Sequence, residues 1–209
     1  MSKYFFSHFS FGHSLSSFFG NKKSLFLRGI HFYFIVFSLC FFSCGHLSDD
    51  GKKIFRYNEQ TGIATLDPAF AKNQSIIWAV HQLYNTLVET DASLHLVPSL
   101  ALHWDISSDR KTYTFHLRNA FWSDGSDITA EDFEYSWKSV LNPTFPAPNA
   151  YQLYVIKGAK AAKNNELPIS EIGIKAIDNK TLEVTLEEPT PYFLELTTTH
   201  FFSPVNKKW

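Results

Sequence analysis

Five carboxylates lie close together in the stretch FWSDGSDITAEDFEYSW, which begins at Phe121. Asp124, Asp127 and Glu131 could act as general acids or bases, or their oxygens could bind a calcium ion. The order of these oxygens does not match an EF-hand loop, because Gly125 falls too early in it. A secreted hydrolase that uses Asp124 or Asp127 is the least favoured hypothesis for this protein.

The same stretch has the signature of a turn followed by a helix. SDGSD is typical of a turn, and Thr129 with Asp132 three residues later forms a variant of the capping box. Acidic residues in the first turns of a helix also interact favourably with its dipole. We therefore predict that the acids cap a helix and that the aromatic residues pack in a core. The apolar stripe of this helix comprises Phe133, Trp137, Val140 and Leu141, and the helix should end near Asn142 and Pro143.

The histidines and serines do not fall into a catalytic or metal-binding motif. The sequence contains no G-x-S-x-G, H-E-x-x-H, G-x-G-x-x-G or P-loop, and no metal-binding cysteine pair. The histidines beyond the leader and its tether are interpreted as scattered surface or partly buried residues: His81, His95, His103, His116 and His200. The sequence thus predicts a binding protein rather than an enzyme, with no cofactor and no metal.

Residues 1–43 differ from the rest of the chain, because they contain four basic residues and no acidic ones. Their apolar run is too short for a spanning helix and is typical of a signal peptide. The small residue directly before Cys44 makes this boundary resemble a lipobox. Phe41 departs from that pattern, because leucine is usual three positions before the cysteine. We therefore predict a signal peptide over 1–43, a lipid anchor at Cys44 and a polar tether over 44–52. A plain signal peptide and an uncleaved membrane anchor are the alternatives.

The charge of the remaining chain argues against nucleic acid as a partner. Once residues 1–43 are set aside, 15 of the 19 basic residues remain, against all 20 acidic ones, so the net charge is −5. The only cysteines are Cys40 and Cys44, which both lie at the signal boundary. The exported domain must therefore be stabilised by its core and not by an internal disulfide.

Hydrophobic periodicity predicts helices and strands in alternation. A strand contains Ile54, Phe55 and Tyr57, and a helix capped by Asn73 or Ser75 follows. The apolar residues of this helix are Ile76, Ile77, Val80, Leu83, Tyr84, Leu87 and Val88. A hairpin is predicted to pair Trp104 and Ile106 with the strand that contains Tyr113, Phe115 and Leu117.

The second half of the chain predicts another helix and another hairpin. After a proline-rich loop, the helix should run from about Tyr151 to Lys163. The hairpin has one arm with Ile172, Ile174 and Ile177 and a turn at Asp178 and Asn179. Its other arm contains Leu182, Val184 and Leu186. The segment YFLELTTT could begin a further helix.

The order and spacing of several segments resemble those of the periplasmic oligopeptide-binding proteins. These segments are RYNE, TLDPAF, the run from QLYNTLVETD to WKSVLNP, IKAIDNKTLEVTLEEPTPYFLEL and SPV, so the resemblance covers the chain from about Arg56. The family resembled is the extracellular solute-binding family of peptide and nickel ABC importers. The resemblance implies an α/β fold of the periplasmic-binding-protein (Venus flytrap) type, in which two lobes close on a ligand.

The resemblance also implies a domain organisation. The first lobe would begin over 53–74, an inserted α+β domain would occupy 75–198, and 199–209 would return to the first lobe. The second lobe would lie beyond Trp209, because members of this family are more than twice as long. A truncated or decayed gene product with no transport activity of its own is the alternative hypothesis.

The function implied by the resemblance is that of the substrate-binding component of an ABC-type oligopeptide importer. Such a protein captures peptides in the periplasm and delivers them to a membrane permease and its ATPase. A peptide receptor must satisfy the ligand's backbone groups without reading its side chains. By analogy, the implied peptide-binding residues are Tyr57, Asn58, Glu59 and Ala64 after the first strand, and Asn149 and Tyr151 after the proline-rich loop. Asn149 stands where the family pattern suggests an aromatic residue.

Overall fold

The computed structural model describes Asn58 and residues 62–208. The predicted signal peptide, the tether, Cys44 and the strand at Ile54 to Tyr57 lie outside the described residues. Within the described part, no helix combines the length and apolar character needed to cross a membrane.

The described chain contains both helices and strands. The α-helices are α1 (Gln74–Leu83), α2 (Ala130–Val140), α3 (Ala159–Lys163) and α4 (Phe193–Leu196). The strands are β1 (Val88–Thr90), β2 (Leu96–Pro98), β3 (Ala101–Ile106), β4 (Thr112–Leu117), β5 (Ile174–Asp178) and β6 (Thr181–Thr185). Short 3-10 turns lie at Pro68–Phe70, Ala150–Val155, Ile169–Glu171 and His200–Phe202.

The main sheet has four antiparallel strands in the order β3-β4-β6-β5. Both predicted hairpins are confirmed, and β4 pairs with β6 to join them, with Phe115 opposite Leu182. The turn of the second hairpin lies at Asn179 and Lys180, one residue later than predicted, because Asp178 already pairs with Thr181. Strands β1 and β2 form a separate two-stranded sheet.

The main sheet has one buried face and one polar face. Along β4 the buried residues alternate with partly exposed ones, and β6 shows the same alternation. Helix α2 packs against β5 and β6. The largest fully buried side chains of the resulting core include Trp137, Phe115, Phe133, Phe193, Phe202, Leu141, Leu153, Ile156, Ile174, Leu182 and Leu186. The alternation predicted from the sequence therefore correctly identified the face of the sheet that packs.

Helix α1 is shorter than its apolar pattern predicted. Asn73 caps it as expected, because its side-chain oxygen accepts a hydrogen bond from the Ile76 N–H at 3.0 Å. The helix ends at Leu83, and the prediction that Leu87 and Val88 continue it is wrong. Val88 pairs with Pro98 in the small sheet, and the Leu87 carbonyl accepts hydrogen bonds from residues 99 and 101. Sheet pairing therefore overrides the helical period here.

Two further expectations are corrected by the structure. The helix predicted from Tyr151 to Lys163 is divided into a 3-10 turn and α3, because Gly158 adopts a left-handed conformation with φ of 73°. Ile177 is exposed, while Ile172 and Ile174 are buried. The reason is the two-residue period of a strand, which turns Ile177 away from the face that Ile174 occupies.

Candidate ligand-binding site

A cavity of about 800 Å³ opens where three parts of the chain meet. Its walls come from the segment before α1 and the end of that helix, from α2 with the turn that precedes it, and from the last described segment. The principal lining segments are 66–69, 83–85, 121–124, 135–140 and 201–206. These segments are distant in the sequence, so only the tertiary fold creates the cavity.

The first wall is held by a local cap and by packing. The Asp67 side chain accepts a hydrogen bond from the Ala69 N–H at 2.9 Å and so begins the short turn Pro68–Phe70. Pro68 and Ala69 are buried, and this turn contacts the turn His200–Phe202. The backbone of this wall is therefore fixed, although several of its side chains remain exposed.

Helix α2 fixes the last described segment of the chain. The Trp137 indole Nε1–H donates a hydrogen bond to the Phe202 carbonyl at 3.1 Å, and the two rings meet edge to face at 5.1 Å. The Ser136 hydroxyl accepts a hydrogen bond from the Val205 N–H at 2.6 Å. Residues 202–205 therefore lie along the helix as the far wall of the cavity.

The mouth of the cavity is apolar and exposed. Phe121 is 65% exposed and Tyr135 is 44% exposed, although both belong to the stretch that the sequence placed in a core. Leu66 and Leu83 on the opposite wall are also exposed. The prediction that all the aromatic residues of this stretch pack in a core is thus wrong for Phe121 and Tyr135. Exposed apolar groups that line a concave surface are typical of ligand sites.

A few polar groups lie among these apolar residues. They are contributed by Asp67, Asn85, Asp124, Ser203 and Asn206, among others. Ser203 is buried, and its hydroxyl has no hydrogen-bond partner among the described residues. A buried polar group without a partner destabilises a protein by about 1–3 kcal/mol.

The electrostatic character of the cavity is acidic. Among the residues that the structure describes, the lining contains Asp67 and Asp124 and no basic side chain. The pKa of Asp124 is lowered, first by a hydrogen bond from the Ser126 hydroxyl and then by the Ser126 backbone N–H. Burial raises the pKa of Tyr84, and the charge of Asp67 raises it further. The site therefore suits a neutral or positively charged ligand group.

The acids of the opening stretch have structural roles. Asp124 closes the turn before α2, in which Gly125 has a positive φ of 83°. Asp132 is buried, and its carboxylate accepts hydrogen bonds from the Thr129 N–H at 2.9 Å and the Trp122 indole at 3.3 Å. The predicted capping box is thus confirmed. The described residues of the cavity lining include no histidine, cysteine or lysine that could act as a base beside its serines.

The four residues implied by the resemblance that the structure describes do not line this cavity. Tyr57 and Glu59 lie outside the described residues, and Asn58 and Ala64 are exposed. Asn149 is half-buried and precedes a 3-10 turn, where its carbonyl accepts a hydrogen bond from the residue-152 N–H at 3.0 Å. Tyr151 is exposed. The involvement of all six residues in peptide binding stays a prediction.

Of the two lining residues Phe121 and Tyr135 that sequence analysis missed, Tyr135 could have been found from helical geometry. Tyr135 follows Glu131 by four residues and precedes Lys138 by three, so it lies on the polar face of α2. Phe133 and Trp137 occupy the opposite, buried face. An aromatic residue on a polar helix face is therefore the signal for Tyr135, whereas Phe121 lies in a turn that offers no such signal.

The histidines are less scattered than the sequence suggests. His103 and His116 stack with ring centroids 4.4 Å apart, and His81 meets His200 edge to face at 5.7 Å. The first pair arises because β3 and β4 place His103 directly opposite His116. The second pair joins α1 to the turn His200–Phe202. Only strand register and tertiary packing produce these contacts.

Comparison with known protein families identifies the family of this chain. The model of the bacterial extracellular solute-binding proteins, family 5 Middle, matches residues 95–209. The chain belongs to this family. The match covers β2 to β6, helices α2 to α4 and the wall of the cavity formed by residues 201–206.

Relatives within family 5 include proteins named for peptide binding. The chain is 36% identical over 185 residues to the oligopeptide-binding protein OppA of Bacillus subtilis, covering 83% of this chain and 34% of that protein. It is 39% identical over 153 residues to the periplasmic oligopeptide-binding protein OppA of Escherichia coli, covering 72% of this chain and 28% of that protein. The chain thus spans about a third of the length of these relatives.

A solved family 5 structure confirms the fold class. Listeria monocytogenes OppA bound to peptide superposes with a TM-score of 0.70 and 34% sequence identity, covering 72% of this chain and 30% of that one. The described residues therefore have the fold of one part of a periplasmic binding protein.

Proposed function

We propose that this chain acts in the substrate-binding component of an ABC-type oligopeptide importer, which captures peptides and delivers them to a membrane permease and its ATPase. The observation that carries the proposal is the similarity to OppA proteins over most of the chain. These relatives are binding proteins, and we extend that to this chain as a binder rather than an enzyme.

The cavity supports a peptide as the ligand. Its apolar mouth at Phe121 and Tyr135 can bury side chains of varied shape, because apolar contact is not directional. The cavity carboxylates Asp67 and Asp124 can accept hydrogen bonds from backbone N–H groups or from a peptide's amino terminus. Few fixed polar contacts and a broad apolar wall suit a receptor that accepts many sequences.

The organisation and location of the protein are part of the same proposal. We propose export by a signal peptide over 1–43 and attachment to a bacterial membrane by lipid at Cys44, through the tether 44–52. One acyl chain holds a protein to a membrane only reversibly, so stable attachment needs a second chain. We also retain 53–74 as the start of the first lobe, 75–198 as the inserted domain and 199–209 as the return to the first lobe.

Peptide titration of the 209-residue chain tests the proposal. Relatives are about three times as long, so further residues would complete the site, and we expect weak binding with a Kd of about 0.1–1 mM. The indole of Trp122 lines the cavity, so the tryptophan fluorescence should change as mixed di- to pentapeptides are added. No change at any peptide concentration up to about 10 mM would contradict the proposal.

Exposed aromatic residues provide matched variants for this titration. Phe121→Ala should weaken peptide binding by about tenfold or more, because the removed ring would be buried by the ligand. Tyr192→Ala is the control, since Tyr192 is similarly exposed but does not line the cavity. Tyr151→Ala tests the residue implied by the resemblance. Equal effects of Phe121→Ala and Tyr192→Ala would exclude the cavity as the peptide site.

A further inference from the structure

The solvent-facing side of the main sheet brings together two imidazoles and a carboxylate. His103 in β3 lies directly opposite His116 in β4, and Asp105 lies two residues after His103 on the same face. The His116 Nε2 is 2.9 Å from an oxygen of Asp105. One ligand atom from each of the three residues lies within 4.8 Å of the other two. This cluster plays no part in the cavity described above.

Strand geometry holds the three residues in place. The register of β3 and β4 continues beyond the cluster, with Trp104 opposite Phe115 and Ile106 opposite Tyr113. Phe115 and Tyr113 are buried, so their packing fixes the alternation that turns His116 to the solvent. The backbone positions of the three donors therefore follow from the core and do not depend on a ligand.

The chemistry of the donors selects a class of ion. Two imidazole nitrogens and one carboxylate oxygen suit Zn²⁺, Ni²⁺ or Cu²⁺, whereas Mg²⁺ and Ca²⁺ prefer oxygen ligands alone. Three protein ligands with one open position are typical of zinc sites that keep a bound water.

We propose that His103, Asp105 and His116 form a binding site for a divalent transition-metal ion on the outer face of the sheet. The ion would link β3, an edge strand, to β4. The family comparison and the proposed peptide function do not require this site, and its test is independent of both.

Small side-chain movements are sufficient to close the site. Ligands of a tetrahedral zinc ion lie about 3.4 Å apart, because each Zn–N bond measures about 2.0–2.1 Å. The donor atoms must therefore approach one another from separations of up to 4.8 Å. His103 and Asp105 are exposed, so their side chains can rotate without disturbing the core. The ion replaces a solvent-exposed His116–Asp105 pair, whose own contribution to stability is small.

Site-specific protection from chemical modification tests the proposal in the full 209-residue chain. Diethyl pyrocarbonate modifies neutral imidazoles, and peptide mass mapping reports each histidine separately. At a Zn²⁺ concentration about ten times the Kd, the site is about 90% occupied, so modification of His103 and His116 should slow about tenfold. Mapping by residue is needed because the chain also contains His8, His13, His31 and His46.

Variants make the test reciprocal. His116→Gln should abolish the protection of His103 by Zn²⁺, and His103→Gln should abolish that of His116. His95→Gln is the matched control. His95 also lies beside a carboxylate, 3.6 Å from that of Asp91, but it does not belong to β3 or β4, which carry the two imidazoles of the proposed site. This variant should leave the protection of His103 and His116 intact. Mg²⁺ should protect none of these histidines.

The results that would overturn the proposal are equally specific. They are equal modification rates of His103 with and without Zn²⁺, protection of His103 that persists in His116→Gln, or protection of His95 to the same degree as His103.

Discussion

Helices α1 and α2 have similar apolar periodicity but different surroundings. Helix α2 buries Phe133, Trp137 and Val140 in the main core, and both of its ends are anchored. The capping box lies at the start of α2. At the other end of the helix, Lys163 donates hydrogen bonds to carbonyls at and beyond the last turn, including the Val140 carbonyl at 2.9 Å. Helix α1 buries only Ile76 and Val80, in a small separate cluster.

The difference shows that periodicity indicates which face of a helix is apolar but not how much of that face is covered. Leu83 is 60% exposed at the end of α1 and lines the cavity, whereas Leu141 at the end of α2 is fully buried. The turn His200–Phe202 contacts both regions, through His200 on α1 and Phe202 on α2. We infer that α2 carries stability, while α1 presents surface to the candidate site.

The largest expected effect is the loss of the Trp137 ring. Trp137→Ala should lower the free energy of unfolding by about 3–5 kcal/mol, because it opens a cavity in the core and removes the bond to the Phe202 carbonyl. Urea unfolding followed by circular dichroism measures this. Tyr135→Ala, on the exposed face of the same helix, should cost less than about 1 kcal/mol. Similar losses in the two variants would contradict the role assigned to α2.

The losses of unfolding free energy on removal of the two helix caps should differ by a smaller amount. Asp132→Ala removes a buried carboxylate that accepts several hydrogen bonds and should cost about 2 kcal/mol. Asn73→Ala removes the single side-chain cap of α1 and should cost about 1 kcal/mol. The unfolding free energies of both variants are compared with that of the parent chain. A larger effect at Asn73 than at Asp132 would reverse the comparison.

The closest comparison between the two helices makes the same substitution at one buried valine in each. Val140→Ala removes methyl groups from the main core and should cost about 2 kcal/mol. Val80→Ala makes the same change in the small cluster and should cost about 1 kcal/mol, because fewer neighbours lose contacts and the cluster can collapse more readily. Chemical denaturation of both variants measures the two losses of unfolding free energy. Equal losses would show that α1 is packed as firmly as α2.

The smallest expected effect is a pH dependence at the contact of His81 with His200. The pKa of His200 is lowered, first by burial and then by the charge of His81, so the unfolded chain binds the proton more readily. Stability should therefore fall as the pH drops below the ordinary histidine pKa of 6.5. The slope cannot exceed about 1.4 kcal/mol per pH unit for one proton.

Unfolding measured between about pH 7.5 and 5.5 isolates this contribution. His200→Gln should flatten the pH dependence, whereas His95→Gln, which changes an exposed histidine, should leave it in place. A slope unaffected by His200→Gln would assign the proton uptake to other groups.

Much of the fold could be predicted from local pattern. The capping box at Thr129 and Asp132, the cap at Asn73 and both hairpins depend on residues close in sequence, and the structure confirms them. The end of α1 was mispredicted because the pairing of Val88 with Pro98 competes with helix formation, and that competition is decided by a partner ten residues away.

The candidate site was far less accessible to sequence analysis. Its walls come from segments that are 120 or more residues apart at the extremes, such as 66–69 and 201–206. Of the acids in the stretch from Phe121 to Trp137, Asp132 was correctly assigned to capping, whereas Asp124 closes the preceding turn. Two of its aromatic residues were placed in a core, although Phe121 and Tyr135 line the cavity instead.

By itself, the sequence determined the elements, the polar and apolar faces and the family, because these depend on periods of two and 3.6 residues, on caps and on the order of segments. Only the tertiary structure decided which apolar faces are covered and which side chains from separate strands meet. The contact of His103 with His116 and the exposure of Leu83 at the cavity both depend on strand register and on long-range packing. No local pattern encodes such relations, because burial is a property of the whole fold.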